Sequence, residues 1–89
     1  MYKVQIYGGD NKKAALLKEF AMEIGEEGAD ALIMSEISDY LYDLDIPFDV
    51  DEDGDMVIDD ILMAVSEGEP VEETFREKGR YFRILGKSL

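Results

Sequence analysis

The chain has 89 residues, 46% of them apolar, and carries a net charge of −13 from 22 acidic and nine basic residues. We expect one small globular domain over residues 1–89, and its acidic surplus argues against direct binding to DNA or RNA. Histidine and cysteine are both absent, so the chain lacks the usual general base, the thiol nucleophile and the disulfide. We therefore expect a non-enzymatic protein that suits the reducing cytoplasm. No apolar run reaches the roughly 18 residues of a membrane span.

The first 26 residues predict a strand followed by a helix. Alternation of Tyr2, Val4 and Ile6 with polar residues predicts a strand near 2–7. Apolar residues then recur at helical spacing and predict a helix over 12–26. Its apolar face consists of Leu16, Leu17, Phe20, Ala21 and Ile24.

The next segment predicts a second helix over 30–45. Its apolar residues lie on one helical stripe: Ile33, Ile37, Leu41 and Leu44. A short strand over 31–34, followed by a helix capped at Ser35, is the alternative. Pro47 ends the helix in either case, because proline disfavours the helical conformation of the residue before it.

The C-terminal half predicts a hairpin, a short helical region and a last strand. Apolar alternation on both sides of an Asp-Gly turn predicts strands near 48–51 and 55–58. A helical region over 60–78 follows, interrupted at Gly68, and a strand ending near residue 75 is the alternative for its second part. The last strand is predicted near 80–85. Together these elements predict an α+β fold, with a small, mostly antiparallel sheet packed against the helices.

The charges are unevenly distributed along the chain. No lysine or arginine lies between Lys18 and Arg76, whereas that stretch contains 20 carboxylates. The last 14 residues carry five cations against one acid. This basic end is consistent with internal pairing against an acidic element, but it has too few cations to neutralise the whole surplus.

The acidic middle of the chain predicts a binding surface for a basic partner. Spaced carboxylates imitate the charge of phosphates, so the expected partner is a basic surface on another macromolecule. One example is a nucleic-acid-binding protein, which the chain would inhibit by acting as a mimic of DNA. The alternative is an acidity that only keeps the protein soluble. The candidate partner-binding residues are Glu36, Asp39, Tyr42, Asp43, Asp51, Asp53 and Asp55.

One aspartate-rich loop gives an alternative function. Residues 49–60 resemble the calcium loop of an EF-hand, with a glycine, Gly54, at its sharp turn. The resemblance implies calcium ligands at Asp49, Asp51, Asp53, Asp55 and Asp60, the last at the twelfth position. Without calcium, the same residues read as an acidic β-turn, and no cofactor is then expected.

Overall fold

A computed structural model of the protein describes residues 1–10, 14–44, 57–77 and 79–89. In the described chain four strands form one antiparallel sheet in the order β2-β1-β4-β3. Two helices follow the second strand, which confirms the α+β fold. The elements are β1 (Tyr2–Asp10), β2 (Ala15–Met22), α1 (Ala31–Asp43), α2 (Val57–Ser66), β3 (Val71–Glu77) and β4 (Arg80–Ser88).

The two central strands, β1 and β4, are the longest and pair along their whole length, from Tyr2 opposite Ser88 to Asp10 opposite Arg80. Both strands bury every second residue, as the predicted alternation requires. The predicted strands near 2–7 and 80–85 are confirmed, although β1 continues through Gly8 and Gly9. Gly8 has a packing role, because a Cβ atom there would lie 2.6 Å from Leu17 Cδ1.

Both helices cover the same face of this sheet. Their buried residues join the buried strand residues in one apolar cluster, and Phe20 of β2 meets Tyr40 of α1 edge to face at 6.1 Å. The opposite face carries the polar residues of the strands. The buried cluster consists of Tyr2, Val4, Ile6, Phe20, Met22, Ile37, Leu41, Ile58, Ile61, Val65, Val71, Phe82 and Ile84.

Helix α1 begins where its capping residue predicts. The Asp30 carboxylate accepts hydrogen bonds from the amides of Leu32 and Ile33 at 2.9 and 3.3 Å, which satisfies two otherwise unpaired donors. The single helix predicted over 30–45 is therefore confirmed. The alternative of a strand over 31–34 is wrong.

The helix predicted over 12–26 is wrong, because this segment forms β2. Its register against β1 pairs Lys18 with Ile6 and Leu16 with Tyr7, which leaves Leu17 as an extra residue in a β-bulge. The bulge interrupts the period-two alternation, so the apolar residues fall at a spacing that imitates a helix. Pairing with β1 outweighs the local helix propensity.

The prediction of a second hairpin strand over 55–58 is wrong for its last two residues, because Val57 and Ile58 form the start of α2. Ile58, Ile61 and Val65 recur at helical spacing and are all buried, and this burial favours the helix. The rest of the hairpin prediction, including the strand over 48–51, falls on residues outside the described part of the chain.

The helical region predicted over 60–78 is correct only in its first part, which α2 occupies. Its second part forms β3, so the alternative of a strand reaching Phe75 was the better interpretation. Val71 is buried beside Gly86, and the whole of β3 pairs with β4. Gly79, with a φ of 81°, lies in the tight connection between the two strands, where glycine adopts this conformation without strain.

Tyr2 anchors the first strand to the loop between α2 and β3. Its buried hydroxyl donates a hydrogen bond of 2.7 Å to the carbonyl of Glu69. Gly86 provides the room, because a Cβ atom there would collide with the Tyr2 hydroxyl. Burial raises the pKa of the Tyr2 phenol above its ordinary value of 10.0.

This pKa shift makes stability depend on alkaline pH. Because the folded state holds the phenolic proton more tightly than the unfolded state, the stabilisation is complete below pH 10.0 and is lost as pH rises through the folded pKa. We expect Tyr2→Phe to lower the free energy of unfolding at pH 7 by about 1 kcal/mol, and to weaken its decline above pH 10. Urea unfolding between pH 7 and 11 measures both effects. Tyr42→Phe is the exposed control, and an equal change of slope in that variant would contradict the assignment.

Candidate functional site

The helices carry acids alone, whereas the strands carry both acids and cations. Helices α1 and α2 contain five carboxylates and no lysine or arginine. All six lysines and arginines in the described part of the chain lie in strands: Lys3, Lys18, Arg76, Arg80, Arg83 and Lys87. The fold thus separates helices that carry only acids from a sheet that carries both charges, including Asp10, Glu19, Glu72, Glu73 and Glu77.

The outer face of α1 carries three of the predicted partner-binding acids. Glu36, Asp39 and Asp43 are spaced by three and four residues, so they lie on one side of the helix, and all three are exposed. Tyr42, which is also predicted to bind the partner, is 53% exposed beside them. The structure therefore brings together the four candidate residues that the sequence places on this helix.

The outer face of α2 continues the acidic surface. Asp59 and Asp60 are exposed in its first turn, and Glu67 is exposed just after its last turn. Gly28 lies against the Ser66 carbonyl, which places the start of α1 beside the end of α2. We call this surface the acidic helix layer and define it as Glu36, Asp39, Asp43, Asp59, Asp60 and Glu67.

The acids on α1 differ in their pairing from two of the acids on the strands. Within the described ranges, no ion pair or side-chain hydrogen bond involves Glu36, Asp39 or Asp43. On the open face of the sheet, by contrast, Glu19 pairs with Lys3 at 3.7 Å and Glu72 pairs with Arg83 at 2.8 Å. Two of the strand acids are thus paired with cations, whereas the carboxylates of α1 are exposed.

The network around Glu19 shows what such pairing does to a carboxylate. Gln5 donates a hydrogen bond of 2.8 Å to Glu19, and this bond, with the nearby Lys3 ammonium, lowers the pKa of the Glu19 carboxyl. The open face of the sheet thus contains two ion pairs. One of them engages Arg83 of the basic C-terminal end, as internal complementarity predicts.

Arg80 makes a further internal contact that sequence analysis did not specify. Its guanidinium donates a 3.1 Å hydrogen bond to the carbonyl of Leu44, at the C-terminal end of α1. It also stacks over the Phe82 ring at 4.9 Å. A cation at this end of a helix is favourable, because the last carbonyls carry partial negative charge. The last turn of α1 contains no basic residue of its own, so β4 supplies the cation.

We expect Arg80→Ala to lower the free energy of unfolding by about 1 kcal/mol, because it removes a hydrogen bond and a favourable charge from the end of α1. Urea unfolding at neutral pH measures the loss. Lys87→Ala, in the same strand, removes an exposed cation and is expected to change stability by less than about 0.5 kcal/mol. Equal losses in the two variants would mean that the contact with α1 contributes nothing beyond net charge.

Sequence analysis missed two exposed apolar residues on the outer side of the helices. Leu32 is 79% exposed at the start of α1, and Met63 is 62% exposed on α2. Both lie among the acids, since Leu32 is four residues before Glu36 and Met63 is four residues after Asp59. Their position off the buried stripes was the available signal.

Most of the candidate calcium ligands lie outside the described residues. These are Asp49, Asp51, Asp53 and Asp55, of which the last three were also predicted to bind a partner. Asp60 lies exposed in the first turn of α2. Among the residues that the structure describes, no group of three or more acids is arranged to hold a metal ion. Calcium binding by residues 49–60 stays a prediction.

The calcium hypothesis predicts that millimolar calcium raises the melting temperature more than magnesium does. A ligand that binds only the folded state stabilises it by about 2.7 kcal/mol at one hundred times its dissociation constant. The double variant Asp51→Asn and Asp53→Asn should abolish the calcium effect. Equal responses to the two ions, or a response that survives in the variant, would indicate general screening of the acidic surface.

A shallow depression of about 260 Å³ lies on the open face of the sheet. Its lining contains one charged side chain, Arg83, which already pairs with Glu72. It offers no carboxylate pair for acid–base catalysis. The other lining residues are Tyr7, Ala14, Tyr81 and Leu85.

No protein-family model, curated protein or solved structure matches the chain. Neither of the two described helices is long and apolar enough to cross a membrane. The function must therefore be inferred from the charges and geometry of the acidic helix layer.

Proposed function

We propose that the chain is a non-catalytic binding protein whose acidic helix layer engages a basic surface on another macromolecule. The observation that supports this proposal most directly is the pairing pattern. Two acids on the strands, Glu19 and Glu72, have cationic partners, whereas Glu36, Asp39 and Asp43 have none within the described ranges. Carboxylates that the fold leaves unpaired on a rigid helix are available to an external cation.

The spacing of these carboxylates suits a row of cationic side chains. A rise of 1.5 Å per residue separates Glu36, Asp39 and Asp43 by about 4.5 and 6 Å along the helix axis. Lysine and arginine side chains that contact successive phosphates of a nucleic acid can reach acids at such intervals. A nucleic-acid-binding protein is therefore the class of partner that we propose, with the helix layer imitating the charge of its ligand.

The physical gain from such a surface is mainly kinetic. Charges of one sign attract a partner of the opposite sign and accelerate the encounter, whereas their net contribution to affinity is smaller. At physiological ionic strength the attraction acts over roughly 8 Å. Association should therefore depend strongly on salt.

The test compares two triple variants that remove the same charge from different surfaces. The site variant is Glu36→Gln, Asp39→Asn and Asp43→Asn. The control variant neutralises exposed acids outside the helices: Glu23→Gln, Glu69→Gln and Glu73→Gln. The partner is first captured at low salt from lysate of the native host, identified by mass spectrometry and purified.

We expect the site variant to slow association with the purified partner by about tenfold or more, and the control variant to slow it far less. Rapid-mixing kinetics at several salt concentrations measure the rate, and the difference between variants should shrink as salt increases. Equal slowing in both triple variants would show that only net charge matters. Unchanged binding in the site variant would exclude the acidic helix layer as the contact surface.

A further inference from the structure

Three large apolar side chains are exposed within the acidic helix layer, and they indicate that the partner has apolar residues as well as positive charge. Leu32, Tyr42 and Met63 are 79%, 53% and 62% exposed. Imitation of phosphate charge alone does not require exposed apolar side chains. Among the residues that the structure describes, the other large exposed apolar residues lie at the chain termini and in the edge strand β2: Met1, Leu16, Leu17 and Leu89.

Each of these apolar residues has acids as its neighbours on the helix surface. Met63 lies four residues after Asp59 and four before Glu67, so the three residues form one stripe along α2. On α1, Tyr42 is three residues after Asp39. An apolar side chain flanked by carboxylates complements an apolar side chain flanked by lysine or arginine.

The arrangement of the three residues also suggests the shape of the partner. The start of α1 lies beside the end of α2, so Leu32 and Met63 lie toward the same end of the helix pair. Tyr42 lies ten residues further along α1 than Leu32, which is about 15 Å along the helix axis. Two apolar anchor points at that distance match about three turns of a bound helix whose apolar residues recur every three or four positions.

We propose, on the basis of the proposed function, that the acidic helix layer binds a basic amphipathic helix of a protein partner. The apolar stripe of that helix would contact Leu32, Met63 and Tyr42, and its flanking lysines and arginines would pair with Glu36, Asp39 and Asp43. Charge complementarity selects a cationic partner, and the exposed apolar residues select one with an apolar stripe.

The experiment uses two synthetic 18-residue peptides of identical leucine and lysine composition. In the first, leucines recur at helical spacing and form one stripe; in the second, the same residues are scrambled so that no stripe forms. Affinities are measured by fluorescence anisotropy for four proteins: the wild type, Leu32→Gln with Met63→Gln, the control Leu16→Gln, and the triple variant Glu36→Gln, Asp39→Asn and Asp43→Asn. Circular dichroism confirms that each variant is folded.

We expect the wild type to bind the amphipathic peptide about tenfold or more tightly than the scrambled peptide, since burial of a few methylene groups has this effect. The double variant on the helices should lose that preference, and Leu16→Gln, which changes a residue that is 49% exposed on β2, should keep it. The triple variant should bind both peptides more weakly.

The results that would overturn the inference differ from those that would overturn the proposed function. Equal affinity for the two peptides, with no effect of Leu32→Gln and Met63→Gln, would show recognition by charge alone and leave the proposed function intact. Undiminished binding of both peptides by the triple variant would overturn the proposed function itself. Self-association of the wild type that disappears in the double variant would identify a second copy as the occupant, and would also overturn the inference.

Discussion

The antiparallel pairing of β1 with β4 is the constraint on which the rest of the structure depends. It joins the first and last strands of the chain in nine consecutive partner pairs. Because both strands are central, their buried side chains supply the middle of the core, and β2 and β3 can add only at the two edges. The two helices, which come from the middle of the sequence, then have a single apolar face on which to pack.

This topology also determines where the charges lie. The segment between Lys18 and Arg76, which has no lysine or arginine, contains both helices, whereas the cationic C-terminal segment forms β4 and part of β3. Within the described ranges the lysines and arginines therefore lie in the sheet, where Arg83 and Lys3 pair with strand acids. Arg80 is the exception, because it reaches from β4 to the end of α1. The acidity of the helices is therefore a consequence of the order of charges along the chain. Because neither helix contains a lysine or an arginine, its acids cannot form ion pairs within the helices.

The sequence was sufficient to predict the elements whose periodicity is simple. The helix after Asp30 has a capping residue and an unbroken apolar stripe, and the terminal strands alternate regularly, so both were predicted correctly. The three candidate acids and the tyrosine of α1 could be placed for the same reason, since exposure follows from that stripe. The segment over 15–22 was misread because the bulge at Leu17 breaks the alternation, and bulges are defined by the partner strand.

Contacts that join distant parts of the chain could not be predicted. The bond from Arg80 to Leu44 spans 36 residues, and the bond from Tyr2 to Glu69 spans 67. Val71–Glu77 likewise becomes a strand because β4 is available to pair with it. In each case the local sequence permits several conformations, and the tertiary partner selects one.

The placement of the acids on α1 supports the proposal that they bind a partner over the alternative that they only keep the protein soluble. Beyond the cap at Asp30, the first turn of α1 contains no acid, although carboxylates are favourable there. Asp39 and Asp43 instead lie in its C-terminal half, where like charges four residues apart and the negative helix end each cost a few tenths of a kcal/mol. Helix α2 shows the favourable arrangement, with Asp59 and Asp60 in its first turn. Solubility would be served equally well by acids at the start of α1, so this local arrangement supports the proposal that the outer face of that helix binds a partner.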